Sequence, residues 1–419
     1  MFDEYAQLKR IIADTINDLA KTQTFNVDLF LNQMEGAFQS AGFREQKTNS
    51  SIKSILLIRI DAAGDFILTT PAIRALRENY PNAYITLVVG EEIYNLAELC
   101  PYVNEVLAVN NTRNVDYIKI FIDAAKFSSA YLWRRRFDLA ICLGTVTNLF
   151  RNFLIYLSGA RERVSYFIGE LDKRLNTHYY SMTAEYNTHD VIINLYLLKA
   201  HGLKIGSTDI EVWFNNSDLY TARRLLENFG EGRIKVAVGI GANSPERKYP
   251  VEKYLSAFKK IVDKGAVLVI FGGSAEVDDA KFLEDNLPKE FVKNFVEVKA
   301  GWRVDVAAMS LTDMYIGNMT GACDVAAALK KTVIVLSRVA RDIKNFFGGL
   351  NESERYSPWE TDAVILQPAH QLEECKAHPT FQGCNANRPH CIAQISPSEI
   401  VAAFDVMTDF QRKNCLRGD

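Results

Sequence analysis

The chain has 419 residues, 48% apolar and 24% charged, with 48 lysines and arginines against 51 aspartates and glutamates. These values exclude a disordered chain, a collagen or a coiled-coil rod, and the net charge of −3 excludes bulk attraction to nucleic acid or an anionic membrane. Seven scattered cysteines, a polar start and no uncharged apolar run near the roughly 18 residues of a membrane span predict a soluble cytoplasmic protein, at most peripheral to a membrane.

Residues 1–50 read as a helical extension, because Tyr5, Leu8, Ile11, Ile12, Ile16 and Leu19 recur every three or four residues and Phe30, Leu31, Met34 and Phe38 repeat the pattern. Packing on the acceptor side and self-association into a homo-oligomer are both open to it. The run Ile55-Leu56-Leu57-Ile58-Arg59-Ile60 then predicts a buried parallel strand and opens a first α/β domain, 51–212. Strands Tyr84–Val89, Glu105–Val109 and Phe137–Leu143 alternate there with amphipathic helices. A second series fills 213–395, with strands predicted at Lys235–Gly239, Ala266–Phe271, Phe295–Val298, Met314–Ile316 and Thr332–Leu336. Segment 396–419 is a capped C-terminal helix and tail, whose Ile400, Val401 and Phe404 are expected to pack across the N-terminal half. Two doubly wound, Rossmann-like domains in tandem are expected to face a ligand cleft.

Three turns carry residues suited to chemistry. The first strand runs into Asp61-Ala62-Ala63-Gly64-Asp65, two carboxylates and a glycine at the carboxyl end of a strand, where ligands sit in open α/β sheets. On spacing alone Asp65 reads first as a helix cap, and the absence of Gly-x-Gly-x-x-Gly argues against a dinucleotide oxidoreductase. The second turn, Gly239-Ile240-Gly241-Ala242 followed by Arg247-Lys248-Tyr249-Pro250, concentrates backbone N–H groups and two cations before a helix, which suits a phosphate, with a solvated basic turn an equal reading from composition alone. The third, Met319-Thr320-Gly321-Ala322-Cys323-Asp324, could present a hydroxyl and N–H groups to a diphosphate.

In this order and spacing the segments resemble glycosyltransferase family 9, the heptosyltransferases of lipopolysaccharide assembly, over roughly residues 53–405. The resemblance includes Gly64-Asp65, Thr69-Thr70-Pro71, Ser158-Gly159-Ala160, Gly241-Ala242, Lys248-Tyr249-Pro250, Gly272-Gly273 and Gly317-Asn318 through Leu329. It implies the GT-B fold, Asp65 as general base with Asp61 as second candidate, and Lys248 on the phosphates of a nucleotide-sugar donor. Arg247 and the turns at Gly241-Ala242 and Thr320-Gly321-Ala322 would join it there. The implied reaction is inverting transfer of a sugar, heptose favoured from ADP-heptose, to a bacterial surface glycan or protein acceptor, with no catalytic metal and no nucleic acid. The family pattern Asp-(Ser/Thr)-Gly-x-x-His is broken here, with Met319 and Asp324 at its first and last positions. That departure keeps a second reading open, a GT-B binding or assembly subunit without transfer activity.

Cys375, His378, Cys384 and Cys391 form Cys-x2-His-x5-Cys-x6-Cys in a Cys-rich loop, 375–391, four ligands suited to a structural iron or zinc ion. The arrangement resembles the iron-containing autotransporter heptosyltransferases. Reduced surface thiols, or His390 in place of His378, are the alternatives. Cys100, Cys142 and Cys323 lie in apolar contexts and read as inert core residues. Trp133-Arg134-Arg135-Arg136 closes a helix where cations complement the dipole, a lipid or membrane phosphate being the other reading, and His189-Asp190 reads as a helix start rather than a catalytic pair.

Overall fold

The computed structural model describes residues 5–22, 26–43, 51–110, 117–144, 149–167, 169–181, 188–229, 232–341, 352–373 and 388–417. The chain divides into two compact units. Unit one comprises Met1–Ala62, Pro71–Thr183 and Ile193–Ser207; unit two comprises Ala63–Thr70, Ala184–Ile192 and Thr208–Asp419.

Unit one is built on a parallel sheet of β1 (Ser54–Arg59), β2 (Tyr84–Gly90), β3 (Glu105–Val109), β4 (Leu139–Cys142), β5 (Glu162–Phe167) and β6 (His178–Ser181), in the order β3-β2-β1-β4-β5-β6. Central β1 is aliphatic from Ile55 to Ile58 because both of its faces are covered, and Ile55 pairs with Ile85 on one side and Leu139 on the other. Strand β5 and the edge strand β6 were not anticipated. Their sequences, Glu-Arg-Val-Ser-Tyr-Phe and His-Tyr-Tyr-Ser, mix polar with apolar residues and form no continuous aliphatic run.

The N-terminal extension forms α1 (Ala6–Thr22) and α2 (Val27–Ser40), the second capped by Asn26, whose side chain accepts from Leu29 N at 3.0 Å. Their apolar stripe is spent inside unit one: Leu8, Ile12, Phe30, Met34 and Phe38 share one core with Phe121, Trp133 and Tyr156. Phe30 meets Phe121 edge-on at 4.8 Å, and the Tyr156 hydroxyl donates to Leu31 O at 3.0 Å. The Trp-Arg-Arg-Arg run serves the same core. Trp133 Nε1–H donates to Leu157 O at 2.7 Å, Arg135 pairs with Glu105, and Arg136 lies 4.1 Å over the Phe43 ring. Two of the three arginines are thus engaged within the unit.

Unit two carries β7 (Lys235–Gly239), β8 (Val267–Phe271), β9 (Val292–Asn294), β10 (Met314–Asn318), β11 (Thr332–Leu336) and β12 (Ala363–Leu366), all parallel, in the order β12-β11-β10-β7-β8-β9. Numbered within each half, both sheets have the doubly wound order 3-2-1-4-5-6. Strand β9 ends before the predicted Phe295–Val298, because the Asn294 side chain turns the chain by accepting from Val296 N at 3.0 Å. The C-terminal helix Pro397–Arg417 does not lie on the N-terminal half. Its Ile400, Ala403, Phe404 and Met407 join the unit-two core with Tyr254 and Phe258. Ser396 and Glu399 close its start as a reciprocal capping box, Glu399 accepting from Ser396 N at 2.8 Å and Ser396 Oγ from Glu399 N at 3.3 Å. Among the described residues no helix is long and apolar enough to cross a membrane.

One buried acid in this unit makes stability depend on pH. Asp305, in the helix Trp302–Ser310, has Oδ1 buried without a hydrogen-bond partner, and burial pushes its carboxyl up to about 7 from an ordinary 3.8. Across that window the folded chain holds a proton the unfolded chain releases, so stability falls as pH rises towards 7. Asp305→Asn, neutral at every pH, is therefore expected to be more stable than the parent by about 1–3 kcal/mol at pH 8, with the gap narrowing towards pH 5. Urea midpoints at the two pH values check this.

Candidate functional site

In unit one the strand order reverses between β1 and β4, the point where open parallel sheets bind ligands. Asp61 stands just past β1, and its Oδ2 lies 3.2 Å from Arg59 Nη1 and 3.1 Å from Arg151 Nη1. Both arginine side chains are only 2% exposed, and Arg151 Nη1 also donates to Leu143 O at 2.9 Å. Gly144, at φ +97°, leaves them room, since a Cβ there would run into both guanidinium groups. Asp61 is thus the shared counter-ion of two buried arginines. Neither arginine was singled out from sequence, although a charge inside the apolar strand Ile58-Arg59-Ile60 was a usable signal.

Asp65 belongs to unit two. It sits in the first turn of the short helix Ala63–Ile67, where a negative charge complements the helix dipole, and its carbonyl accepts from Thr69 Oγ1 at 2.7 Å. This helix packs backbone to backbone on the start of the helix Gly321–Ala328. A Cβ on Gly321 would lie 2.9 Å from Gly64 N and 3.1 Å from Ala63 Cβ, and a Cβ on Gly64 would overlap the Asp324 carboxylate. Thr320, extended and half-buried, precedes the helix, and Ala322 is likewise half-buried.

Beside this contact lies a second buried ion pair. Asp190, first residue of the helix Asp190–Ala200, meets Arg355 Nη2 at 3.0 Å, and the neighbouring His189 places Nε2 at 2.8 Å from Ser357 O and stacks on Trp359 with ring centres 4.4 Å apart. His189-Asp190 is thus a helix start, as read, and also an anchor for residues 355–359. Burial, then Asp65, then Asp190 push the Asp324 carboxyl well above the ordinary carboxylate range.

The reversal of the second sheet lies between β7 and β10, and Asn318 at the end of β10 organises it. Its amide donates to Ile240 O at 3.0 Å and Gly241 O at 3.1 Å, while its Oδ1 accepts from Tyr249 N and the Tyr254 hydroxyl, both at 3.1 Å. One fully buried side chain thereby fixes the Gly241-Ala242 turn to the start of the helix Val251–Val262. Lys248 reaches Asp279 Oδ2 at 2.7 Å and Glu276 Oε1 at 3.2 Å. Burial works against its charge, but the two carboxylates more than offset this and raise its affinity for the proton. Glu276 also accepts from Gly273 N at 2.9 Å and faces Gly241. Arg247 ends the adjoining turn Pro245–Arg247 and is half-buried, and next to it Arg338 pairs with Glu246 at 2.8 Å. Glu276, Asp279 and Arg338 were not anticipated, since each acts only through tertiary contact.

Cys375, His378 and Cys384 lie outside the described residues. Cys391 is buried, with Sγ 3.6 Å from His390 Nδ1, and the described residues contain no cluster of three or more acids, histidines or cysteines arranged for a metal ion. Cys100, Cys142 and Cys323 are buried free thiols, as expected.

No protein-family model matches the chain. Lipopolysaccharide heptosyltransferase 3 of Escherichia coli K12 is 24% identical over 351 residues, which covers 82% of this chain and 94% of that protein. The glycosyltransferase family 9 structure from Veillonella parvula DSM 2008 aligns with a TM-score of 0.69 at 19% identity, over 86% of this chain and 98% of that one. In sequence and fold the chain is thus similar to heptosyltransferases of glycosyltransferase family 9. Escherichia coli ADP-heptose lps heptosyltransferase II shares its fold with a TM-score of 0.65 at 17% identity, over 86% and 99% of the two chains. The pair of doubly wound sheets in this heptosyltransferase-like chain is accordingly the GT-B arrangement.

Proposed function

We propose that the protein moves a heptose from ADP-heptose to a glycan acceptor of lipopolysaccharide, with inversion and without a catalytic metal. The observation that carries this reading is the likeness to a lipopolysaccharide heptosyltransferase along nearly its whole length, together with Asp65 at the head of a helix held beside the Thr320-Gly321 turn. Asp65 takes the proton of the acceptor hydroxyl as that oxygen bonds to the anomeric carbon, and the bond from that carbon to the diphosphate oxygen breaks, its electron pair leaving with ADP. Lys248 and Arg247, with the N–H groups around Gly241-Ala242 and Thr320-Gly321-Ala322, offset the charge of the departing diphosphate. Supporting this, Glu276 and Asp279 keep Lys248 protonated, and Asn318 holds the Gly241 turn in place.

The reaction is assigned to the cytoplasm. Incubation with ADP-, GDP- and UDP-sugars is expected to raise Tm most with ADP-heptose and to give slow donor hydrolysis, with transfer when a heptose-deficient lipopolysaccharide core is added. Stabilisation without turnover would make the protein a binding subunit, and no stabilisation by any nucleotide sugar would remove the reading. A structural iron or zinc ion on Cys375, His378, Cys384 and Cys391 remains part of the proposal; about one equivalent of metal per chain in purified protein is expected, lost on replacing Cys384 with Ser.

A further inference from the structure

Lys248 is held by two carboxylates that differ in how firmly they are themselves held. Glu276 is 6% exposed; its Oε1 lies 3.2 Å from Lys248 Nζ, and its Oε2 accepts from Gly273 N at 2.9 Å and lies against Gly241. Withdrawing Glu276 would therefore open the turn it closes over Gly273 as well as the ion pair. Asp279 comes closer, with Oδ2 2.7 Å from Nζ, yet it is 30% exposed, and among the described residues Lys248 is the one partner of its side chain. It stands in the first turn of the helix Val277–Asp285, where the dipole favours a negative charge with or without the lysine.

One ammonium against two carboxylates leaves an excess of one negative charge in this cluster, which opposes an incoming diphosphate. With Asp279 turned into solvent, the remaining Lys248–Glu276 pair is neutral, and two of the three N–H donors of the ammonium are open to phosphate oxygens. We propose that Asp279 is a placeholder on Lys248: it holds the ammonium until the donor arrives and is then displaced by the donor's diphosphate, while Glu276 stays in place. The step is an exchange of ion-pair partners, in which no covalent bond is made or broken and Lys248 keeps its proton. A partly exposed pair of this kind is weak enough to be exchanged. The same carboxylate returns to Lys248 as ADP leaves, so the product is held less tightly than an uncontested lysine would hold it. The inference rests on the transferase reading, in which Lys248 meets the donor's phosphates, and adds to it a residue that sets how tightly the nucleotide binds.

Calorimetric titration of the full-length protein with ADP tests the exchange. Asp279→Asn is expected to bind ADP about fivefold more tightly than the wild type, because the ammonium is no longer contested by a carboxylate, and Asp279→Ala to match it. Asp278→Asn removes the same charge one position earlier, from an exposed side chain outside the ion pair, and is expected to change Kd less than about twofold. In steady-state transfer the gain in Asp279→Asn is expected as a fall in the donor KM, not as a rise in kcat. An ADP Kd in both Asp279 variants equal to or weaker than that of the wild type, or an equal gain in Asp278→Asn, would overturn the proposal. No binding of ADP by the wild type or any variant would instead remove the transferase reading, and tighter ADP binding in the Asp279 variants without transfer by the wild type would remove that reading while leaving the exchange in place.

Discussion

Asp65→Asn is expected to lower kcat by about 10²–10⁴ while leaving the ADP-heptose-induced rise in Tm in place. The amide has the size of the carboxylate and keeps its place in the first turn of the helix Ala63–Ile67, so packing against Gly321 is preserved. What it loses is the ability to accept a proton, together with a dipole contribution of about 0.3–1 kcal/mol. Single-turnover rates beside donor-induced melting shifts separate the two effects. Near wild-type turnover in this variant, with turnover lost in Asp61→Asn, would transfer the role of base to Asp61.

Asp61→Asn is expected to act on stability first. Asp61 is the anion that Arg59 and Arg151 share, with both arginine side chains buried. An amide supplies the shape but not the charge, and two buried guanidinium groups lose their common counter-ion. The expected loss is about 3–5 kcal/mol, read as a lower urea midpoint, against less than about 1 kcal/mol for Asp65→Asn. A fall of less than about 1 kcal/mol for Asp61→Asn would mean that the carboxylate does not hold the arginines in place. The two acids lie four positions apart in one turn of sequence, and their variants are expected to fail by different routes.

The legible parts of the fold were those with continuous apolar runs. Strands β1, β7 and β10 are flanked on both sides, so each has an uninterrupted buried apolar stretch: Ile55–Ile58, Val236–Val238 and Met314–Ile316. Strands β5 and β6 were missed because polar residues interrupt them, and β12, although apolar, because its run Ala-Val-Ile-Leu is only four residues long. Among candidate site residues, Asp65, Lys248 and Thr320-Gly321 stand out in the sequence because each sits close to a glycine or proline that marks a strand-to-helix turn. Asn318 was seen only as part of a matching segment, and its four hydrogen bonds to residues 240–254 depend on a sheet register that no local pattern encodes. The placement of Ala63–Thr70 with unit two was also hidden, because the close approach of Gly64 to Gly321 joins residues far apart in the chain.

The helices α1 and α2 bear on how this protein can be shortened. They precede the first motif shared with the family, so trimming the chain to the region of resemblance would look conservative. Yet Phe30, Met34 and Phe38 are core neighbours of Phe121, Trp133 and Tyr156, and Tyr5 lies 5.6 Å from the Trp133 ring. Removing residues 1–45 would turn that interior into an exposed aromatic surface, a liability for solubility. The smallest form of this protein that folds on its own is therefore larger than its shared motifs suggest.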